Sequence, residues 1–172
     1  MVGVMGVVSA IAIFQIGNAR PYMKGDGAMR TVLAQMNTAR ELSISQRRNI
    51  QVTFAGNVIT LTRQNIAIGA APATTTVLAA VPMEGGAQFG LTTGVPDTPD
   101  MFGRTAAASF GTATSVFFSS DGSLIGDNGL PVNGTVFLTI PNEPRGTRAV
   151  TVLGATGRIR GYKWDSRQWV KG

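Results

Sequence analysis

The residues with the clearest chemical potential lie near the end of the chain, where basic side chains alternate with aromatic ones. Arg158 and Arg160 are two positions apart, so they share one face if this segment is a strand. The candidate contacts are Arg158, Arg160, Lys163 and Arg167, interleaved with Tyr162, Trp164 and Trp169. Because aromatic rings stack on bases while cations contact phosphates, nucleic-acid binding is one interpretation of this pattern. The alternative, which we favour, is an ordinary closing strand, with its arginines in solvent and Trp164 in the core.

A second group of oxygen-bearing side chains lies in the glycine-rich stretches that follow the middle of the chain. Asp121, Asp127 and Asn128 carry carboxylate and amide oxygens, which are ligands that Ca²⁺ accepts. Their spacing does not match an EF-hand, and Asp-Gly pairs are common turn formers. We therefore predict turns here and no metal site.

The composition excludes most enzyme mechanisms. The chain contains no Cys and no His, which removes thiolate nucleophiles, the Ser-His-Asp arrangement and nearly all zinc or transition-metal sites. No pairing of Ser, Lys and carboxylates in the sequence indicates catalysis. At 172 residues the chain is about one domain long. We therefore predict a protein that is not an enzyme and has no cofactor.

Residues 1–19 contain no charged side chain, and apolar residues cover every face of the helix they would form. Such a helix must be buried on all sides, in lipid or among other helices. We predict a filament-core helix, in which small residues let neighbouring backbones approach closely. Its residues are Gly3, Gly6, Val7, Val8, Ala10, Ile11, Ile13 and Phe14. The alternatives are a simple membrane anchor and a cleavable signal segment; the Ala10-Ile11-Ala12 sequence resembles a cleavage site, although no basic region precedes it.

A cluster of helix-breaking residues follows the apolar opening. Gly17, Pro21 and Gly25 lie close together, and proline lacks the N–H that a helix interior requires. We predict a stretched or kinked joint here, with helicity resuming at about Ala28. From there the apolar residues follow the i, i+3, i+4 spacing of an amphipathic helix that ends near Arg47. These apolar residues are Met29, Val32, Leu33, Met36, Ala39 and Leu42.

After Arg48 the apolar period changes to two, which indicates β-strands. Residues 50–54 and 58–63 alternate on either side of Gly56-Asn57, a pattern typical of a hairpin with a two-residue loop. Further predicted strands are residues 74–81, 87–92, 115–119, 134–140, 147–153 and 158–164. Residues 93–114 are predicted to form a surface loop. The sequence thus predicts an α+β fold: a long N-terminal α-helix, apolar in its first half and amphipathic in its second, packed on an antiparallel β-sheet head.

This order of parts divides the chain into residues 1–26, the apolar helix and flexible joint, and residues 27–172, the amphipathic helix and β-rich head. The layout resembles type IV pilin-like proteins. The segment Gly6-Val-Val-Ser-Ala-Ile-Ala-Ile13 is similar to the middle of a prepilin methylation-type helix. The downstream motifs resemble those of the H-type pseudopilin and FimT-type pilin family. They are Ala39-Arg40-Glu41, Arg47, Val52, Phe117-Phe118-Ser-Ser-Asp121-Gly122 and Gly157-Arg158-Ile-Arg160.

The resemblance covers nearly the whole chain, with two departures at its start. The family's basic leader ends in Gly, which is followed by Phe and, four positions after that Phe, by Glu. These residues do not occur here, so we expect the natural chain to begin before Met1. Phe14 stands where many relatives carry a helix-bending proline, which moves the expected joint toward Pro21.

The resemblance implies a structural subunit of a type IV pilus-like extracellular filament, in which identical subunits polymerise through their N-terminal helices. It implies residence in the inner membrane of a Gram-negative-type bacterium before assembly and at the cell surface afterwards. One alternative is a minor pilin that binds DNA for uptake, because the segment Gly157–Arg160 is similar to the DNA-contacting motif of FimT-type pilins. Another is a pseudopilin of a type II secretion system. The expected partners are further copies of the chain, other minor pilins and DNA.

Overall fold

A computed structural model describes the backbone of residues 2–65 and 74–172, with side chains from Pro21 onward. These residues form one α-helix, α1 (Val2–Gln46), followed by short strands. The strands are β1 (Ile50–Ala55), β2 (Val58–Gln64), β3 (Thr75–Pro82), β4 (Gln88–Phe89), β5 (Ala108–Ser109), β6 (Val116–Phe118), β7 (Leu124–Gly126), β8 (Gly134–Thr139), β9 (Arg148–Leu153), β10 (Arg158–Trp164) and β11 (Trp169–Lys171). Short 3-10 helices at Pro144–Gly146 and Gly154–Thr156 flank β9.

The strands form two antiparallel sheets. The first sheet has the order β3-β2-β1-β6-β7, and the second has the order β11-β10-β9-β8-β4, with β5 also paired to β8. Strands β1 and β2 form the predicted hairpin, in which Ala55 pairs with Val58 across the two-residue loop. The prediction of an α+β fold with a helix packed on an antiparallel head is confirmed.

Helix α1 packs its predicted apolar face on both sheets. Met29, Val32, Met36 and Ala39 are buried in the core, and Leu33 and Leu42 lie half-buried at its margin. The facing core residues include Ile50, Ile59, Leu61, Val136 and Val150 from four strands. Because residues three and four apart lie on one side of a helix, this face is enclosed while the opposite face stays in solvent. The amphipathic half of the helix is therefore confirmed.

The helix does not restart after a joint. Helix α1 runs without interruption through Gly17, Pro21 and Gly25, so the prediction that helicity resumes at Ala28 is wrong. Pro21 removes one helical hydrogen bond, but tertiary contacts hold the next turn in place. A Cβ on Gly25 would overlap the carbonyl oxygen of Gly146, so the helix backbone lies directly against the head at this glycine. The role of these three residues as a joint stays a prediction.

The loop predicted at residues 93–114 is partly a buried segment. Val95, Thr98 and Phe110 are buried, and β5 lies within it. Its glycines, prolines and polar residues are typical of a surface loop. Composition therefore does not reveal that this segment packs on the outer face of the second sheet. Strands β5, β7 and β11 were not predicted because two or three residues are too short to display a period.

Candidate functional site

The candidate nucleic-acid site lies on β10, whose side chains alternate between the two faces of the second sheet. Lys163 faces α1, where its Nζ donates a hydrogen bond of 3.1 Å to Oδ2 of Asp26. Gly161 faces the same way and lies against Met29. Arg160 is separated from Lys163 by three positions, so it lies on the opposite, outer face of the sheet.

Arg160 forms an ion pair with the carboxylate of Asp100 on that outer face. Its Nη1 donates to Oδ1 of Asp100 at 3.1 Å, while Oδ2 of Asp100 accepts from the hydroxyls of Thr151 at 2.6 Å and Tyr162 at 3.0 Å. Burial acts to raise the pKa of Asp100, but the three donors outweigh it and hold that pKa below its usual value. Burial and the hydrogen bond to Asp100 raise the pKa of Tyr162. The site is thus a closed hydrogen-bonded network.

The aromatic residues of this region pack within the head. Trp164 is 8% exposed, and its ring meets that of Trp169 edge-on with centroids 5.4 Å apart. The indole N–H of Trp169 donates to the carbonyl oxygen of Pro96 at 3.0 Å. This bond connects residues 93–114 to the second sheet. Trp164 therefore lies where the alternative interpretation placed it, in a packed interior.

The four predicted DNA contacts do not lie together. Arg158 is exposed at the start of β10, and Arg167 is exposed in the turn between β10 and β11. Arg160 and Lys163 are paired with different carboxylates on opposite faces of the sheet. DNA binding through this set stays a prediction.

Sequence reasoning missed a buried arginine at the junction of helix and head. Arg148, at the start of β9, is 1% exposed. Its Nε donates to Oδ1 of Asp26 at 2.8 Å, and its Nη2 donates to the carbonyl oxygen of Tyr22 at 3.0 Å. Its Nη1 donates to the carbonyl oxygens of Arg145 and Thr147. The sequence offers one signal that could have revealed it: Arg148 is the first residue of a strand that is otherwise uncharged and mostly apolar.

Asp26 completes this junction by joining two cations. Its second oxygen accepts the hydrogen bond from Lys163, so one carboxylate on the helix connects β9 and β10. Burial acts to raise the pKa of Asp26, but the hydrogen bonds and charges of Arg148 and Lys163 outweigh it and lower that pKa. The helix is therefore held at a fixed place on the head, one turn beyond Pro21.

Three of the short motifs that carry the resemblance meet at one corner of the head. The Nε of Arg40 donates to the carbonyl oxygen of Gly122 at 3.1 Å, and its Nη2 donates to that of Thr156 at 3.2 Å. Gly157 has a φ of 60°, and its backbone lies directly against Gly122. Arg40 thus connects α1 to the β6–β7 turn of the first sheet and the β9–β10 turn of the second. These motif residues serve packing of the fold.

The acidic residues considered for calcium form turns, as predicted. Oδ1 of Asp121 accepts hydrogen bonds from the hydroxyl of Ser119 and from both the backbone N–H and the hydroxyl of Ser123. Asp127 accepts one from Thr114, and Asn128 accepts one from the N–H of Leu130. Among the described residues, no three acidic side chains come close enough to share a cation.

Asp121→Asn is expected to lower the free energy of unfolding by about 1 kcal/mol near neutral pH, a value reduced for the solvent exposure of this side chain. The hydrogen bonds from Ser119 and Ser123 lower the pKa of Asp121 from 3.8 to about 2. The stabilisation is therefore complete above pH 3.8 and lost as the pH falls toward 2. Denaturant titrations across this range measure it. Asp127→Asn, which removes the charge of a carboxylate that accepts one side-chain hydrogen bond, is the control, and an equal loss in both variants would contradict the assignment.

The predicted filament-core residues belong to helix α1. The structure describes their backbone but not their side chains. They are Gly3, Gly6, Val7, Val8, Ala10, Ile11, Ile13 and Phe14. Among the residues that the structure does describe, no helix is both long enough and apolar enough to cross a bilayer. The filament-core assignment stays a prediction.

A long helix packed along two antiparallel sheets is the fold of type IV pilin-like proteins. Crystal structures of the type IV minor pilin FimU from Pseudomonas aeruginosa strain PAO1 share this fold in two crystal forms. In space group P21 the TM-score is 0.52 at 16% identity, covering 84% of this chain and 91% of FimU. In space group P65 the TM-score is 0.51 at 17% identity, covering 84% and 96%. No family model and no curated protein matches the sequence. The finer resemblance to H-type pseudopilins and FimT-type pilins stays a prediction.

Proposed function

We propose that this protein is a structural subunit of a type IV pilus-like filament. The observation that carries the proposal is the single helix from Val2 to Gln46, whose residues from Pro21 onward pack on the head. The helical backbone thus continues for several turns before the contacts at Pro21, and residues 1–19 there carry no charge. The FimU structures support the proposal because they show this fold in a pilus protein.

The physical mechanism of assembly follows from the apolar opening. Lipid covers this segment while the subunit resides in the inner membrane, and other copies cover it in the filament. Exposing a buried Val or Ile to water costs about 1.5–3 kcal/mol for each side chain, so the segment is driven to stay enclosed. Gly3, Gly6 and Ala10 let neighbouring helices approach closely. The filament then stands on the surface of a Gram-negative-type bacterium.

The alternatives differ in abundance and cargo. FimU is a minor pilin of P. aeruginosa, so a minor-subunit role for this chain is one alternative. A pseudopilin of a type II secretion system is another. A major subunit repeats along the whole filament, whereas a minor subunit is rare within it, so quantitative mass spectrometry of purified filaments separates these roles.

Single cysteines in the apolar opening are expected to cross-link neighbouring subunits. The chain has no natural Cys, so Val7→Cys or Ile11→Cys introduces the sole thiol of each subunit. If the helices form the filament core, mild oxidation of filaments gives covalent dimers at the positions where two helices meet. Scanning positions 6–13 and separating the products on a denaturing gel without reductant measures this.

The control is Ala55→Cys, which places a thiol on the exposed end of β1. It is expected to stay monomeric under the same oxidation. The proposal is contradicted if no position in the opening gives dimers, or if the native protein purifies as separate heads from which the opening has been cleaved.

A further inference from the structure

One large apolar side chain projects from the segment that covers the second sheet. Met101 is 81% exposed, the highest value for a large apolar side chain among the residues that the structure describes. Its φ is 54°, in the left-handed region that a residue with a Cβ adopts at an energetic cost. Strain of this kind persists where the surroundings enforce it, and it concentrates at functional sites. The folded chain therefore presents Met101 to the outside at a cost in stability.

Hydrogen bonds fix the turn that carries Met101. The N–H of Met101 donates to the carbonyl oxygen of Thr98 at 2.9 Å. Asp97 accepts from the N–H of Thr98 at 2.7 Å and from that of Gly103 at 2.9 Å. The neighbouring Asp100 is bound to β9 and β10. A side chain on such a fixed turn loses less conformational freedom on binding than one on a flexible loop.

A cavity of about 180 Å³ opens on the head where β1 extends beyond β6. Strand β6 pairs with β1 only as far as Val52, so residues 53–55 have no β6 neighbour and a gap remains beside them. None of the residues that line the cavity is charged, and the exposed Thr53 lies at its mouth. Its apolar walls are formed by Val52, Phe54, Ala108, Phe110, Ala113 and Val116.

The cavity matches a methionine side chain in size and in chemistry. An apolar cavity of about 150 Å³ holds a benzene ring, which has more heavy atoms than a methionine side chain. The rings of Phe54 and Phe110 lie stacked with centroids 5.9 Å apart, and aromatic rings make favourable contacts with a thioether sulfur. Met101 does not line the cavity of its own chain, so joining the two requires a second copy.

The charges around the two surfaces are opposite. Residues 42–83, which include β1 and β2, contain three arginines and no acidic residue. Residues 91–103, which carry Met101, contain Asp97 and Asp100 and no basic residue. Asp100 is paired with Arg160, whereas Asp97 accepts from backbone N–H groups, which leave its charge in place. Opposite charges favour contact between these two surfaces and disfavour contact of either surface with its own copy.

We propose that Met101 of one subunit inserts into the cavity beside β1 of the next subunit in the filament. The inference rests on the proposed function, because filament assembly brings the heads of neighbouring copies together. Met101 and the cavity belong to different sheets, so each subunit offers its methionine to one neighbour and its cavity to another. A head-to-tail contact of this kind extends as a helical filament unless its rotation closes a ring.

Oxidation of Met101 by hydrogen peroxide is the first test. Peroxide converts exposed methionine to its sulfoxide, and mass spectrometry measures the product at each position. Burying a methionine shifts a binding equilibrium by a factor of about ten or more, so Met101 is expected to oxidise about tenfold more slowly in filaments than in detergent-dissociated subunits. Thr53→Glu, which places a charge at the cavity mouth, is expected to remove this protection. Thr75→Glu, at an exposed threonine on β3, is the matched control and is expected to retain it.

Paired cysteines test the direction of the contact. Met101→Cys and Thr53→Cys each give one thiol per subunit, so filaments of either variant treated with a short bis-maleimide are expected to give monomers. The double variant is expected to give a ladder of covalent multimers, because each subunit is then linked to two neighbours. In the matched control, Val77→Cys replaces Met101→Cys. Val77 is 62% exposed on β3, and no ladder is expected from it.

Met101→Gly separates a contact with the next subunit from a role in the subunit's own fold. Glycine adopts the left-handed φ without strain, so the melting temperature of dissociated subunits is expected to rise. The loss of the side chain is expected to raise the concentration of free subunit in equilibrium with filaments by about tenfold. A residue that serves only its own fold would leave this concentration unchanged.

Three results would each overturn the proposal. They are equal oxidation of Met101 in filaments and dissociated subunits, no ladder from the double variant, and dimers from Met101→Cys alone, which would show contact between identical surfaces. Cross-links between the apolar openings are measured on separate variants. If those cross-links form and the ladder does not, the proposal for Met101 falls and the filament proposal stands. If neither forms, both fall.

Discussion

Changing Asp26 to Asn is expected to lower the free energy of unfolding by about 3 kcal/mol at neutral pH, because it leaves the buried Arg148 without its carboxylate. Arg148 is 1% exposed, so water cannot replace the lost partner. Removing one member of a buried ion pair costs about 3–5 kcal/mol, and the lower end applies because three carbonyl oxygens still accept from Arg148. Denaturant unfolding followed by the fluorescence of Trp164 and Trp169 measures the change.

The pH dependence separates the ion pair from a simple packing effect. Since the pKa of Asp26 in the folded protein lies below 3.8, its contribution is complete above that pH and is lost as the pH falls further. The gap between wild type and Asp26→Asn is therefore expected to close in acid. Glu41→Gln, on the exposed face of the same helix, is expected to leave stability unchanged. A gap that persists unchanged at low pH would argue against the ion pair as its cause.

Changing Gly157 to Ala is expected to lower the free energy of unfolding by about 3 kcal/mol. Two effects combine there. A left-handed φ of 60° is unfavourable for any residue with a Cβ, and the new Cβ would overlap the carbonyl oxygen of Gly122 and lie 2.9 Å from Nε of Arg40. The corner where Arg40 joins the helix to both sheets must then open. The same denaturant unfolding experiment measures the loss.

Gly56→Ala is the matched control for this prediction. Gly56 has a φ of 59°, nearly that of Gly157, but no atom lies within 4 Å of the position its Cβ would take. Only the conformational cost remains at Gly56, so a loss of about 1 kcal/mol is expected. Equal losses at both glycines would show that the contact with Gly122 contributes nothing.

The arrangement at Arg40 changes how the short motifs are interpreted. Ala39-Arg40-Glu41, the Asp121-Gly122 turn and the Gly157-Arg158 turn are far apart in the chain but adjacent in the fold. Their common role is to hold a long helix on two sheets. Within the β10 motif, Arg158 stays exposed, whereas Arg160 forms an ion pair with Asp100. The β10 motif therefore has a clear structural role, and DNA binding through it stays a prediction.

Much of the fold could be predicted from the sequence because its signals are local. The spacing of Met29, Val32 and Met36 marks the buried helix face, and the alternation around Gly56-Asn57 marks the hairpin. The pairing of the cations on β10 could not be predicted in this way. Alternation places Arg160 and Lys163 on opposite faces, but their carboxylate partners come from a distant loop and from the helix. No spacing rule within a strand reveals such partners.

The sequence by itself determined the buried face of the helix, the longer strands, the apolar opening and the lack of thiol and imidazole chemistry, since these depend on residue type and on near neighbours. The tertiary structure alone decided that the helix continues through Pro21, because contacts at Gly25 and Arg148 hold the next turn. It also decided which cations are paired and which are not. Charge neutralisation depends on distance in space, so Arg148 and Lys163 are seen to share the carboxylate of Asp26 only once β9 and β10 are placed beside the helix.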